Sequence, residues 1–215
     1  MTRIHPSALV ETKDIGENTS IWAFVHVMQG VKIGASCNIG DHSFIETGAI
    51  IGDNVTIKNQ VLIWEGTQLE DDVFVGPRVT FTNDRYPRSP RMPEARRRYS
   101  SRDNWLSGIR VKRGCSIGAG AILCPGIELG CYSVIAAGAV VTKNVPDFAL
   151  VLGNPARQVA DVCVCGRPLG GDWRSQACDE CGQTGCMRLE IWNHLKSNPA
   201  GIESAERFVQ HGSNG

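Results

Sequence analysis

An aliphatic residue or Phe returns at every sixth position from Ile15 to Phe81, and the same phase resumes at Val111 and runs to Val141. The series is Ile15, Ile21, Val27, Ile33, Ile39, Ile45, Ile51, Ile57, Ile63, Leu69, Val75, Phe81, then Val111, Ile117, Leu123, Leu129, Ile135 and Val141. Neither a helix nor a lone strand has this period. A period of six is typical of a parallel β-helix in which three hexads close one triangular coil. The sequence therefore predicts an all-β chain with a stacked aliphatic core.

The position two residues before each aliphatic is small or β-branched, and it is also expected to face inward. This set comprises Thr19, Val25, Val31, Cys37, Ser43, Ala49, Val55, Val61, Thr67, Val73 and Val79. Gly often follows the aliphatic, as at Gly34, Gly52 and Gly118, where we expect it to supply backbone freedom at a corner. Pro155 is expected to end the strand ladder.

Length and composition favour one main domain with a small module. The formal net charge of the 215 residues is zero, which gives no support for nucleic-acid binding. No apolar run reaches the ~18 residues of a membrane span, and the N-terminus has no apolar signal segment. The sequence thus predicts a cytoplasmic protein.

Residues 82–110 interrupt the repeat and contain three closely spaced prolines, at 87, 90 and 93. Nine Arg and one Lys lie between residues 82 and 113, against three acidic residues. Long loops in compact folds are often functional, and Arg suits phosphate groups. A phosphate-facing role, a solvated loop and a subunit-interface arm remain open alternatives.

Several large polar residues occupy outward positions that usually carry smaller groups. His26 and His42 are separated by about one coil, and so are Glu46 and Glu65. If three such β-helices, each a three-sided prism, associate as a trimer, some of these residues would line a cleft between subunits. A substrate-binding role for Glu46 and Glu65 stands against a solvated face, and a functional role for either His stands against a surface one.

The C-terminal part contains two cysteine pairs, each followed by Gly: Cys163 and Cys165, then Cys178 and Cys181. Four thiolates on two short knuckles suit structural zinc, although the first pair is one residue short of the usual spacing. Reduced structural thiols are the alternative. We expect a zinc-ribbon-like module at 161–190, after a main domain at 1–160, and a short helical or frayed tail at 191–215.

The hexads, with Val141–Pro146 and Gly153–Ala156, resemble the hexapeptide-repeat acyltransferases over roughly residues 1–160. Within them, the segments 63–66, 75–77 and 81–89 are similar to the nucleotide-linked 3-amino-sugar N-acetyltransferases. The resemblance implies a left-handed β-helix, a homotrimer with its active sites between prisms, and acetyl-CoA as co-substrate. It also implies a UDP- or dTDP-linked amino-sugar acceptor in bacterial surface polysaccharide (lipopolysaccharide) biosynthesis.

The resemblance further suggests roles for individual residues. Gly118, Ala119, Ala136, Ala137, Lys143, Asn154 and Arg157 are expected to hold acetyl-CoA, with Lys143 and Arg157 at its phosphates. Glu46, Glu65, Arg85, Tyr86 and Arg88 are expected to bind the nucleotide sugar. Asn83 would hydrogen-bond the attacking amine, Asp84 would assist in binding or proton removal, and His26 is a fallback base.

Three other classes of function remain. A sugar or serine O-acetyltransferase typically uses a catalytic His after the loop, and residues 43–193 contain none. A γ-type carbonic anhydrase needs three His ligands at a subunit interface, and the prism offers only His26 and His42. A non-catalytic β-helix scaffold would bind no acetyl-CoA.

Overall fold

A computed structural model describes residues 1–169 and 178–182, and its strands form the three faces of a parallel β-helix. Face A contains β1 (Arg3–Ile4), β3 (Ser20–Ile21), β6 (Asn38–Ile39), β9 (Thr56–Ile57), β12 (Phe74–Val75), β15 (Ser116–Ile117), β18 (Val134–Ile135), β20 (Ala149–Gly153), β21 (Ala156–Val162) and β22 (Pro168–Leu169). Face B contains β2 (Leu9–Val10), β4 (His26–Val27), β7 (Phe44–Ile45), β10 (Leu62–Ile63), β13 (Thr80–Phe81), β16 (Ile122–Leu123) and β19 (Val140–Val141). Face C contains β5 (Lys32–Ile33), β8 (Ile50–Ile51), β11 (Gln68–Leu69), β14 (Arg110–Val111) and β17 (Glu128–Leu129).

Within the coils, strands pair in parallel with the strand one coil further on. Ile39 aligns with Ile57, three hexads later in the chain, and Leu69 aligns with Val111 across the loop. We number the coils 1 to 6 by their face A strands, from β3 to β18. The fold is therefore the predicted three-sided parallel β-helix.

The aliphatic series forms the core. From Ile21 to Val141 every member is buried, and so is the small residue two positions earlier, as predicted. Inward polar side chains form hydrogen bonds with the backbone. For example, the Thr19 hydroxyl donates to the Gly34 carbonyl at 2.8 Å. Ile57 is fully buried, and its truncation to Ala should cost about 2–5 kcal/mol.

The explanation predicted for the glycines after the aliphatic residues is wrong. Gly34 does not have a left-handed φ; a Cβ added to it would lie 2.5 Å from the Gly52 carbonyl oxygen of the next coil. Gly118 is similar, because its Cβ would lie 2.4 Å from the Ala137 nitrogen. Glycine is needed there because stacked coils approach closely, and the left-handed residues lie elsewhere in the corners.

Residues 82–109 replace the corner between faces B and C in coil 4. This loop contains three short 3₁₀ turns, at Pro93–Ala95, Arg98–Ser100 and Arg102–Asn104. Asp84 and Leu106 form an antiparallel bridge at its base, and Ala95 is buried. The interruption thus has a folded base and an ordered path.

The chain continues beyond the last coil as an antiparallel extension of face A. β20 pairs with β18 in parallel and with β21 antiparallel, and β22 pairs with β21. Pro155 therefore does not end the ladder; it lies in the β20–β21 turn, where no ladder N–H is required. The tail predicted at 191–215 lies outside the described residues. Within those residues, no helix is long and apolar enough to cross a membrane.

Candidate active site

Three residues predicted to act on the substrate meet at the B–C corner of coils 2 to 4. The backbone N–H of Glu65 donates to Glu46 Oε2 at 2.8 Å, and Asn83 Nδ2 donates to the Glu65 carbonyl at 3.2 Å. Arg102 Nε lies 2.9 Å from Glu65 Oε1. In the described part of the chain, Asn83 Oδ1 accepts no hydrogen bond. The fixed amide therefore leaves an acceptor available for an N–H group.

Asp84 organises the loop beside Asn83. It pairs with Arg98, accepts from the Tyr99 hydroxyl at 2.6 Å, and accepts from the Tyr86 N–H at 2.9 Å. The Asp84 side chain is 11% exposed. Both carboxylate oxygens are occupied, so this geometry suits positioning of the loop better than proton abstraction.

The basic residues after Asp84 lie on the outside of the loop. Arg85 Nη2 donates to the Pro125 carbonyl at 3.3 Å, Tyr86 is 67% exposed, and the Arg88 N–H donates to the Tyr99 hydroxyl. Among the described residues, the side chains of Arg85 and Arg88 form no ion pair. Both guanidinium groups are therefore available to anions.

A second constellation follows the A–B corner, where one residue of each coil has a left-handed backbone with φ from 57° to 69°. In coils 1 to 6 these residues are Phe24, His42, Gln60, Arg78, Gly120 and Gly138. Four coils carry long side chains there, so the fold does not require Gly at this position. Coils 5 and 6, which we call the upper coils, nevertheless carry Gly at this position.

Gly120 and Gly138 leave an open strip. A Cβ at either glycine would have no heavy atom within 4 Å. Ala119 and Ala137 are exposed beside them, and neither backbone N–H donates a hydrogen bond within the described ranges. A cleft of about 580 Å³ runs along this corner and is lined by His42, Asn59, Gln60, Pro77, Arg78, Ala119 and Gly120. The upper corner therefore offers bare backbone with unused donors.

The residues predicted to hold acetyl-CoA are divided between two corners. Gly118, Ala119, Ala136 and Ala137 stack at the A–B corner, and β20 brings Asn154 and Arg157 to the coil above them. Lys143 instead follows β19 into the B–C corner. His26 lies apart from both, on face B of coil 1, where its Nε2 contacts Glu11 Oε1 at 2.9 Å.

The sequence interpretation missed Gln60, Arg78 and Gly120 in the cleft. All three occupy a corner position that returns every 18 residues, once per coil, from Phe24 to Arg78. The same position resumes at Gly120 only when the residues inserted by the loop are left out of the count. Arg78 Nε donates to Gln60 Oε1 at 2.9 Å, and in the described residues the guanidinium has no acidic partner.

The four cysteines predicted as metal ligands converge. Their sulfur atoms all lie within 4.8 Å of one another, with Cys163 and Cys181 Sγ 3.4 Å apart and Cys165 and Cys178 Sγ 3.8 Å apart. A tetrahedral zinc–thiolate site places its sulfurs about 3.8 Å apart. Backbone N–H groups of Cys181 and Glu180 lower the pKa of the Cys178 thiol to about 6. The cluster therefore fits a four-coordinate thiophilic metal ion.

Comparisons with known proteins agree with this architecture. Residues 14–47 match the family described as bacterial transferase hexapeptide (six repeats), and 108–143 match the hexapeptide repeat of succinyl-transferase. The dTDP-3-amino-3,6-dideoxy-alpha-D-galactopyranose 3-N-acetyltransferase of Aneurinibacillus thermoaerophilus is 47% identical over 162 residues, covering 75% of this chain and 79% of that protein.

Two further relatives are more distant. Galactoside O-acetyltransferase of Lactococcus lactis is 29% identical over 58% of this chain and 59% of its own length. The acetyltransferase domain of PglB from Neisseria gonorrhoeae superposes with a TM-score of 0.51 at 19% identity, covering 74% of this chain and 58% of that chain. This last likeness concerns the fold alone.

Proposed function

This chain belongs to the hexapeptide-repeat acyltransferases, and we propose that it transfers the acetyl group of acetyl-CoA to the 3-amino group of a nucleotide-linked amino sugar. The acceptor would serve bacterial surface polysaccharide synthesis. The bare A–B corner is the structural observation that carries the proposal, and the relative that is 47% identical points to the same chemistry. The reaction would take place in the cytoplasm, as the sequence predicts.

Acetyl-CoA would lie along the A–B corner of coils 5 and 6. The pantetheine arm carries amide groups that need hydrogen-bond partners. The N–H groups of Ala119 and Ala137, which have no acceptor among the described residues, are suitable donors. Gly120 and Gly138 leave room for the arm against the backbone. Arg157, on the hairpin above, would face the CoA phosphates.

A homotrimer would complete the site. The outward row of face B is mostly apolar and includes Leu9 (56% exposed), Phe44, Leu62, Ile122 (42% exposed) and Val140. The outward row of face C is more polar and consists of Lys32, Ile50, Gln68, Arg110 and Glu128. Arg110 and Glu128 form ion pairs with Glu70 and Lys112, which follow the strands.

In such a trimer the three-fold axis would run parallel to the β-helix axis, and face B of every subunit would be turned towards it. This packing brings the A–B corner of each subunit beside the B–C corner of a neighbour. The loop of one subunit would then lie opposite the cleft of the next. Lys143, on the B–C corner of coil 6, would also approach the neighbour's acetyl-CoA rather than that of its own chain.

The chemistry needs little from the protein beyond orientation. The neutral amine attacks the thioester carbonyl carbon, a C–N bond forms, and the C–S bond breaks. The amine proton can pass to the departing sulfur, so CoA leaves as the thiol. Asn83 Oδ1 would accept an N–H of the amine and direct its lone pair towards the thioester. Glu46 and Glu65 support Asn83, while Arg85, Tyr86 and Arg88 would contact the nucleotide sugar.

We also propose that Cys163, Cys165, Cys178 and Cys181 hold a structural zinc ion. With four protein ligands the site has no open coordination position, so the ion would stabilise the fold rather than take part in acetyl transfer. The Arg167–Glu180 ion pair, at 3.0 Å, also connects the segments that contain the two cysteine pairs.

Thiol release from acetyl-CoA tests the function against UDP- and dTDP-linked 3-amino sugars, with and without a C6 carboxylate. The matching 3-hydroxy sugars and galactosides serve as controls for O-acetylation. Release with one amino sugar and not with its hydroxy analogue supports the proposal and identifies the acceptor. Release only with hydroxyl acceptors would replace it with O-acetylation, and no acetyl-CoA binding would indicate a scaffold.

Asn83→Ala tests the amine-binding role. Losing one positioned catalytic group should lower kcat about 100-fold. Asn104→Ala is the matched control, because Asn104 is an exposed amide on the same loop that contacts only loop atoms. Turnover of Asn83→Ala within a few-fold of wild type would remove Asn83 from the mechanism.

A further inference from the structure

Phe24 is an exposed aromatic residue in an unfavourable backbone conformation. Its φ is 57°, in the left-handed region that bulky residues rarely adopt, and its side chain is 60% exposed. Tyr132 and Phe148 also have left-handed backbones, but they stack on each other in half-buried positions at another corner. Phe24 therefore retains its conformational cost without the compensation of burial, which indicates a role in contact with something outside the chain.

His42 extends the exposed surface of Phe24. The ring centroids are 4.9 Å apart with an interplanar angle of 36°. In the part of the chain that the structure describes, the His42 ring nitrogens make no hydrogen bond. The pair thus presents an aromatic face with a polar edge at the lower end of the A–B corner, in the arrangement that accepts a flat heterocycle.

The corner also has the right length for one class of ligand. Coils are spaced by about 4.8 Å, so Phe24 in coil 1 lies roughly 14 Å below the level of coil 4. Asn83 follows β13, the face B strand of coil 4. In a nucleoside diphosphate sugar about a dozen bonds separate the base from the 3-amino group, a reach of roughly 14 Å when extended.

One side chain reaches between these two levels. Arg78 belongs to coil 4, but its side chain extends down to coil 3, where Nε donates to Gln60 Oε1 at 2.9 Å. In the described residues this contact leaves both Nη groups available. A guanidinium without an acidic partner is suited to a diphosphate. The order along the corner is then aromatic pair, Arg78, and bare glycine strip.

We propose that the Phe24–His42 pair is the stacking platform for the pyrimidine base of the nucleotide sugar, and that Arg78 contacts its diphosphate. The platform belongs to the subunit next to the one that supplies Asn83. The inference rests on the proposed acetyl transfer and on the trimer, and it divides the A–B corner into a lower nucleotide half and an upper acetyl-CoA half.

Steady-state kinetics and binding of the free nucleoside diphosphate test the platform in Phe24→Ala and Phe24→Trp. Aromatic–base stacking contributes enough that Phe24→Ala should raise the KM for the nucleotide sugar about tenfold to a hundredfold. The KM for acetyl-CoA should remain within about twofold, and Phe24→Trp should retain tight binding. Phe74→Ala, which removes an exposed Phe from the outer surface of face A, is the matched control and should behave like wild type.

Three outcomes would overturn the inference. They are an unchanged KM for the nucleotide sugar in Phe24→Ala, an equal rise in both KM values, and loss of the trimer in light scattering, which would reassign Phe24 to the subunit interface. Each differs from failure of the proposed function itself, in which the wild-type protein would acetylate no nucleotide-linked amino sugar.

Discussion

The substitution Gly120→Gln is the most specific test of the proposed acetyl-CoA site along Gly120 and Gly138. Gln60 occupies the equivalent corner position two coils below with φ 61°, close to the 66° of Gly120. No heavy atom lies within 4 Å of the new Cβ, so the cost is limited to the left-handed backbone of a non-glycine residue, about 1 kcal/mol. For a protein of this size that cost lowers Tm by about 2–4 °C.

The effect on acetyl-CoA should be much larger than the effect on stability. The Gln side chain would cover the strip and block the N–H of Ala119, and each lost hydrogen bond is worth about 1 kcal/mol. One or two lost bonds, with the steric overlap, should raise the KM for acetyl-CoA at least about tenfold. Initial rates of thiol release at varied acetyl-CoA provide the measurement.

Gly30→Gln is the matched control for this substitution. Gly30 also has a left-handed backbone, with φ 79°, and its Cβ would have only Thr47 Cγ2 nearby, at 3.6 Å. It lies in coil 1 at the B–C corner, so it should show a similar fall in Tm with no change in the KM for acetyl-CoA. A KM within twofold of wild type in Gly120→Gln, with the fold intact, would refute the placement of acetyl-CoA.

Three further predictions concern the loop, the core and the cysteine cluster. Asp84→Asn breaks a largely buried pair with Arg98 and should destabilise the loop by about 3 kcal/mol, so trypsin should cleave residues 85–98 faster; an unchanged cleavage rate would contradict the role of Asp84 in holding the loop. Burial raises the pKa of the Cys115 thiol to about 12 from 9.0, so the unfolded chain loses this proton first and the free energy of unfolding should fall with pH between these values. The slope should be about 1.4 kcal/mol per pH unit steeper than in Cys115→Ala, and equal slopes in urea titrations would contradict the assignment. Elemental analysis should find one zinc per chain, lost in Cys165→Ser together with several degrees of Tm; a metal-free wild type would favour reduced thiols.

The fold followed from the sequence because a six-residue period specifies which side chains face inward. The same period does not reveal which of the three corners a residue occupies. That assignment needs the phase over a whole coil of three hexads, and the insertion at 82–109 shifts it between Arg78 and Gly120. The cleft at the A–B corner was therefore not predicted, although the residues on it were visible in the sequence.

Contacts between coils also explain where the sequence interpretation was wrong. Gly34 and Gly118 were predicted to provide backbone freedom, but the spacing of neighbouring coils is what excludes a Cβ. Glu46 and Glu65 lie together because they are spaced by about one coil, and their role towards the substrate stays a prediction. The engagement of Asp84 by Arg98 depends on the path of the loop, which no local pattern specifies.

Subunit mixing tests the central claim, an acetyltransferase site shared between neighbouring prisms, most directly. Asn83→Ala and Gly120→Gln subunits would be denatured together, refolded as mixed trimers, and assayed for thiol release at limiting acetyl-CoA. If each site takes Asn83 from one subunit and Gly120 from the next, about a quarter of the sites in random trimers contain both native residues, and activity should rise well above either variant alone. Activity no higher than the average of the two variants would contradict a shared site and place the whole reaction within one chain.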